Sequence, residues 1–109
     1  MKDIRRAYRE RWFQKGRELG FTDSEIDKME RLLHCLCCFV PAVSPSYFDP
    51  EREMKELFQN DRALFGRFFY AAVHDLGCLS ALREEEIPIG REFEDFPRFI
   101  DLVHFFLEK

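Results

Sequence analysis

Apolar residues recur at intervals of three and four along most of the chain, and no useful length alternates with period two, so the pattern predicts helices and no sheet. Over residues 3 to 19, Ile4, Tyr8, Trp12 and Leu19 make one stripe with Ala7 and Phe13 beside it, the other face is arginine, and Gly20 is placed to stop the helix. Thr22-Asp-Ser-Glu25 has the spacing of a capping box, in which hydroxyl and carboxylate satisfy two otherwise orphaned amides. A second helix runs on through Ile26, Met29, Leu32, Leu33, Leu36, Cys37 and Val40, until Pro41 forces the residue before it out of helical geometry.

Residues 41 to 49, PAVSPSYFD, lack a helical period and read as a crossing loop. Asp49-Pro50-Glu51 then offers a capping acid, a proline suited to a first helical turn and a further acid, predicting a short third helix with Met54, Leu57 and Phe58. Asn60-Asp61 supplies a fresh cap and a break.

The widest apolar face lies in residues 61 to 82. Leu64, Phe65, Phe68, Phe69, Ala72, Val73, Leu76 and Leu79 keep helical spacing, and Tyr70, Ala71 and Cys78 widen the stripe, leaving a narrow polar strip of Arg62, Arg67, His74 and Asp75. Such a helix needs cover on several sides, with Gly77 marking a frayed end. The segment after Leu82 contains Pro88 and Gly90 and reads as an exposed connection. From Glu92 or Asp95 a last helix carries Phe96, Phe99, Ile100, Val103, Phe106 and Leu107, with Pro97 in its first turn. The reading is therefore an all-α single domain over residues 1–109, a compact bundle of about five helices around the central apolar helix at 61–82.

Composition sharpens this picture. With 46% apolar residues and thirteen Phe in 109 residues, the chain can bury a core and does not have the signature of disorder. Three of the four cysteines, Cys35, Cys37 and Cys38, fall within four positions of a helical pattern, where neighbouring side chains do not face one another; Cys78 is the fourth. This spacing favours reduced thiols and a cytoplasmic setting. No run approaches the roughly 18 apolar residues of a membrane helix, and MKDIRRAYRERW lacks the apolar core of a secretory signal.

Charge is unevenly placed. The net charge of −4 divides into seven basic against three acidic residues over 1 to 20, and 10 basic against 18 acidic residues beyond. Arg5, Arg6 and Arg9 form a face that could track phosphates, with Tyr8 or Trp12 stacking a base, but the acidic remainder would repel a polyanion.

Candidate chemistry is sparse. His34, Cys35 and Cys38 offer soft ligands, yet structural zinc sites usually pair two such knuckles on turns, and packing as small hydrophobes is the simpler account of Cys35, Cys37 and Cys38. His74 with Asp75 and Cys78, and Asp101 with His104, are spacings that arise freely by chance on helices. There is no glycine-rich phosphate loop, H-E-x-x-H, EF-hand pattern or nucleophile elbow, so no catalytic residue, metal or cofactor is expected.

The acidic stretch is the strongest functional feature. Glu84, Glu85, Glu86, Glu92, Glu94 and Asp95 are interleaved with Ile87, Ile89, Phe93 and Phe96, an acidic rim around apolar anchors suited to a basic protein surface. The expectation is a small interaction protein of the inhibitor, immunity or antitoxin type, binding a basic partner protein through Glu84, Glu85, Glu86, Glu92, Phe93, Glu94 and Asp95. The alternative is a regulator touching nucleic acid or a nucleoprotein through Arg5, Arg6 and Arg9. Surplus Phe also leaves room for a homodimer.

Overall fold

The computed structural model describes residues 14–43 and 48–109. Of the helix predicted over 3 to 19, residues 14–18 are described and are helical; Tyr8 and Trp12, expected in the core, and Arg5, Arg6 and Arg9 lie outside the described residues. A Cβ at Gly16 would lie 2.4 Å from Ile26 Cγ1, so this glycine lets the first turn sit directly on the next helix.

That next helix, α1 (Asp23–Phe39), starts at the capping box the sequence predicts: Glu25 N donates to the Thr22 hydroxyl at 3.2 Å, and Thr22 N to the Glu25 carboxylate at 2.9 Å. Ile26, Met29, Leu32, Leu33 and Leu36 form its buried stripe. It ends before Pro41, where Val40 adopts φ −127°, ψ 80°, as the steric demand of the following ring requires.

The third helix begins later than Asp49-Pro50-Glu51 suggests. Asp49 Oδ1 accepts Glu51 N at 2.9 Å in a turn, and α2 spans only Met54–Leu57. The intervening backbone is engaged elsewhere, because the carbonyls of Pro50 and Arg52 accept Ile100 N at 2.8 Å and Phe99 N at 3.1 Å, while Met54 N donates to Pro97 O at 2.9 Å. Amides that a helix start leaves without partners are thus satisfied by a neighbouring extended segment, with Glu53 and Arg98 forming an isolated antiparallel bridge.

Left-handed backbone at Gln59 (φ 51°) and Asn60 (φ 60°) makes the predicted break. Asp61 Oδ1 then accepts Leu64 N at 3.1 Å and α3 runs from Arg62 to Asp75. It is shorter than the 61–82 expected, because Gly77 turns the chain with φ 66° and the backbone continues as two 3₁₀ turns, Leu79–Ala81 and Glu84–Glu86.

The last helix is likewise divided. The helix expected from Glu92 or Asp95 is a single turn, α4 (Glu92–Asp95), and a separate α5 (Phe99–Leu107), since Pro97 pushes Phe96 to φ −128°, ψ 73°. Asp101 caps α5 by accepting Arg98 N at 3.0 Å.

The fold is all-α. Helix α1 packs on α3 and α5, and α4 closes over α3. Phe65, wholly buried, meets Phe58, Phe68, Phe93 and Phe96 with centroids 5.3 to 6.3 Å apart, and Phe69 meets Phe96, Phe105 and Phe106 within 5.9 Å. Offset and edge-to-face rings of this kind fill volume at low rotamer cost and set the distance between helices. No helix among the described residues is long and apolar enough to cross a membrane.

Candidate functional site

Among the described residues, none covers the outward face of α3. Tyr70 is 63% exposed, and Gly66 and Arg67 are also open to solvent, so the helix buries one side, through Phe65, Phe68, Phe69, Ala72 and Val73. Beyond Gly77 only Cys78 of the apolar run enters the core, with Leu82 half-buried against it. Leu79 is 53% exposed and Ile89 81% exposed, with Ile87 also at the surface.

These residues surround one groove. Its floor is Phe69 and Val73 of α3; Tyr70 and Gly66 form the helical wall, and Leu79, Leu82, Ile87, Pro88 and Ile89 the opposite one, enclosing about 210 Å³. Four of the five large hydrophobics exposed among the described residues line it. Exposed apolar side chains scattered singly need no explanation, whereas a contiguous set in a concavity is a candidate binding surface.

Ion pairs fasten the groove's outer wall. Arg62 on α3 reaches Glu94 at 2.6 Å and Glu92 at 3.2 Å and lies over the Phe93 ring at 5.3 Å. Glu92 Oε2 accepts Gly90 N at 2.9 Å. Arg91 donates to the carbonyls of Glu85 at 3.1 Å and Ile87 at 3.4 Å, and pairs with Asp95 at 3.1 Å. Lys109 pairs with Glu86. The loop containing Pro88 and Gly90 is therefore held in one shape by side chains from α3, α4 and the end of α5.

These contacts redistribute the acidic set predicted to meet a partner. Phe93 is buried among the phenylalanines, and Glu92 is only 8% exposed and bound by Gly90 and Arg62, so both build the fold rather than present themselves to a partner. Burial pushes the Glu92 carboxyl up, but the amides of residues 92 and 90 and the Arg62 guanidinium outweigh it, and the net position lies below the ordinary value. Salt bridging to Arg62 brings the Glu94 carboxyl to about 2, and the Lys109 ammonium, with the Arg83 amide, does the same for Glu86. Asp95 is held by Arg91. Glu84 and Glu85 remain exposed in the turn between Leu82 and Ile87, both groove residues; Glu85 has a loose contact to Arg83 at 3.8 Å. Residues 61 to 95 hold eight acids against four bases; with Arg62 paired to Glu92 and Glu94, Arg91 to Asp95 and Lys109 to Glu86, the exposed charges in the turn beside the groove are Glu84 and Glu85, with Arg83 next to them.

The other candidate chemistry disperses. His34 projects to solvent, 3.7 Å from a Glu30 carboxylate; Cys35 and Cys37 lie half-buried against the core, Cys38 is exposed and Cys78 buried. All four thiols are free. Burial, with Asp75 and Cys38 nearby, pushes the Cys35 thiol up to about 11, so it is protonated at neutral pH. Among the described residues no three of His, Cys, Asp and Glu converge as metal ligands. His74 packs edge-on to Tyr70 at 4.6 Å, whereas the Cys78 thiol is turned inward to the Leu76 carbonyl at 3.5 Å. Asp101 is used as a cap, and His104 lies against Phe21 at 5.6 Å.

Within the acidic segment the structure exposes some of the apolar residues and buries others. Ile87 and Ile89 are exposed as an anchor set requires, whereas Phe93 and Phe96 are interior. Tyr70 and Leu79, assigned to a buried stripe, are groove walls. The signal that marks them is Gly66, a glycine inside a helix in the middle of an apolar run. Comparison of the chain with protein-family models, with curated proteins and with solved structures returns no match.

Proposed function

We propose that this chain is a protein-interaction module that binds a partner through the apolar groove between α3 and the Leu79–Ile89 segment, with Glu84 and Glu85 as its charged rim. One observation carries the reading: four of the five exposed large hydrophobics among the described residues are gathered in one concavity whose wall is braced by three sets of ion pairs. A cavity of about 210 Å³ falls below the roughly 300 Å³ at which small-molecule pockets begin, and holds one large side chain or two small ones. Its lining offers almost no polar group with which to orient a metabolite. Burial of apolar anchors inside a charged rim is how a protein hot spot works, and the rim's sign selects a basic partner. Acting by occupation of such a surface, the chain fits an inhibitor of the immunity or antitoxin kind.

The test is affinity capture by the full chain alongside the double variant Tyr70→Glu/Ile89→Glu, both positions being exposed enough to keep the fold intact. A partner retained by the parent protein, lost from the variant at equal melting temperature and eluted by salt supports the reading. Identical retention by both chains overturns it.

A further inference from the structure

Nothing among the described residues accounts for a glycine at position 66. It sits within α3, away from both ends, where glycine is the least favourable residue apart from proline, because it leaves the unfolded chain more freedom than any other. Its backbone is ordinary helix, not the left-handed geometry that Gly77 and Gly90 need. A Cβ placed on it would meet nothing within 4 Å, unlike one at Gly16. The missing side chain therefore opens space on the outside, and that space is the groove.

The chemistry of the groove also limits what form of polypeptide can enter it. An extended segment would bring a row of amides and carbonyls that need partners. The lining has few to give: Glu92 is already bound by Gly90 and Arg62, and the remaining side chains are apolar apart from the Tyr70 hydroxyl. No strand edge lies among the described residues to accept an added strand. A helix satisfies its own backbone, so it can press an apolar stripe into such a groove without leaving polar groups unpaired. Small residues at a crossing point are what allow two helices to approach closely.

Resting on the docking reading above, we infer that the occupant is an amphipathic α-helix of a basic partner protein, crossing α3 at Gly66 with one or two side chains of its apolar stripe seated between Tyr70 and Ile89 and its lysines or arginines toward Glu84 and Glu85. A second copy meeting this one groove to groove is the poorer occupant, since it would bring Glu84 and Glu85 against their own kind.

Two phage-displayed libraries selected against the full chain test this: one randomises the outer face of a rigid helical scaffold, and the other is linear and proline-interrupted. The expected clones come from the helical library, carry apolar residues at i, i+3, i+4 and i+7 with an excess of Lys and Arg, and bind at least about tenfold more weakly to Gly66→Leu and to Tyr70→Glu/Ile89→Glu. The two variants act independently, so a folding defect in one, seen by circular dichroism, leaves the other as the readout. Clones from the linear library alone, weakened by both variants, would keep the groove as a docking site and overturn the helix; acidic clones would overturn the basic partner. Clones that ignore both variants, or no enrichment, overturn the groove reading itself. A dimer seen by sedimentation at neutral pH and dissolved by Gly66→Leu assigns the groove to a second copy and overturns the inference.

Discussion

Two glycines in helical backbone should respond to the same substitution with opposite signs. At Gly66 a methyl group meets open space, so Gly66→Ala removes unfolded-state freedom with no steric consequence and should raise stability by about 0.5–1 kcal/mol. At Gly16 the new Cβ would lie 2.4 Å and 2.7 Å from Ile26 Cγ1 and Cδ1, and Ile26 is wholly buried, so Gly16→Ala forces a core side chain to move and should cost about 1–3 kcal/mol. Urea denaturation midpoints of the two variants check the pair, and equal shifts would show that propensity alone governs both sites. Neither outcome was legible in the sequence. Gly20 and Gly77 announced themselves as helix stops by position, and both do carry positive φ, but whether a mid-helix glycine faces a neighbour or a void depends on long-range packing that periodicity does not encode.

Among the elements, the starts of α1 and α3 could be read from the sequence, whereas the start of α2 and the extents of α3 and of the last helix could not. The Thr22–Glu25 capping box, the Pro41 stop and the Asp61 cap are local chemistry, and local chemistry decided them. The apolar run past Gly77 misled because hydrophobic spacing says which residues avoid water, not what covers them; Leu79 and Leu82 serve a loop wall instead of another helical turn. That wall has its own pH dependence. The Glu86 and Glu94 carboxyls lie at about 2 in the fold, below the roughly 4.3 of a free glutamate. A carboxyl depressed on folding stabilises the native state above its unfolded pKa, and this contribution fades as pH falls through about 4 toward 2. The urea midpoint should accordingly be flat from pH 7 to about 5 and decline below that. Replacing Glu86 with Gln should lower the midpoint at pH 7 and flatten the acid limb; a limb as steep as the parent's would mean that the Lys109 and Arg83 contacts do not hold the loop in solution.

At the scale of the whole molecule, the chain carries seventeen basic and twenty-one acidic groups, a net charge of −4, and several of the bases are tied to acids in internal pairs. The net field is therefore negative, and the proposed steering comes from the exposed carboxylates of Glu84 and Glu85 beside the groove. Steering of this kind acts on the encounter rate rather than on the final contact, and it fades as the screening length shortens to about 8 Å at physiological salt. The structure separates the charges available for steering from those that support the wall: Glu84 and Glu85 are open to reversal, whereas reversing Glu86 would set a second cation beside Lys109. Stopped-flow association with a basic helical ligand should thus slow several-fold for Glu84→Lys/Glu85→Lys at low salt. Parent and variant rates should converge as salt rises, with dissociation little changed and the melting temperature preserved. Glu86→Lys should behave differently, losing thermal stability first and binding as a consequence. If the parent and double-variant rates run parallel across the whole salt range, then Glu84 and Glu85 do not steer the partner, and the charge asymmetry of the chain serves solubility alone.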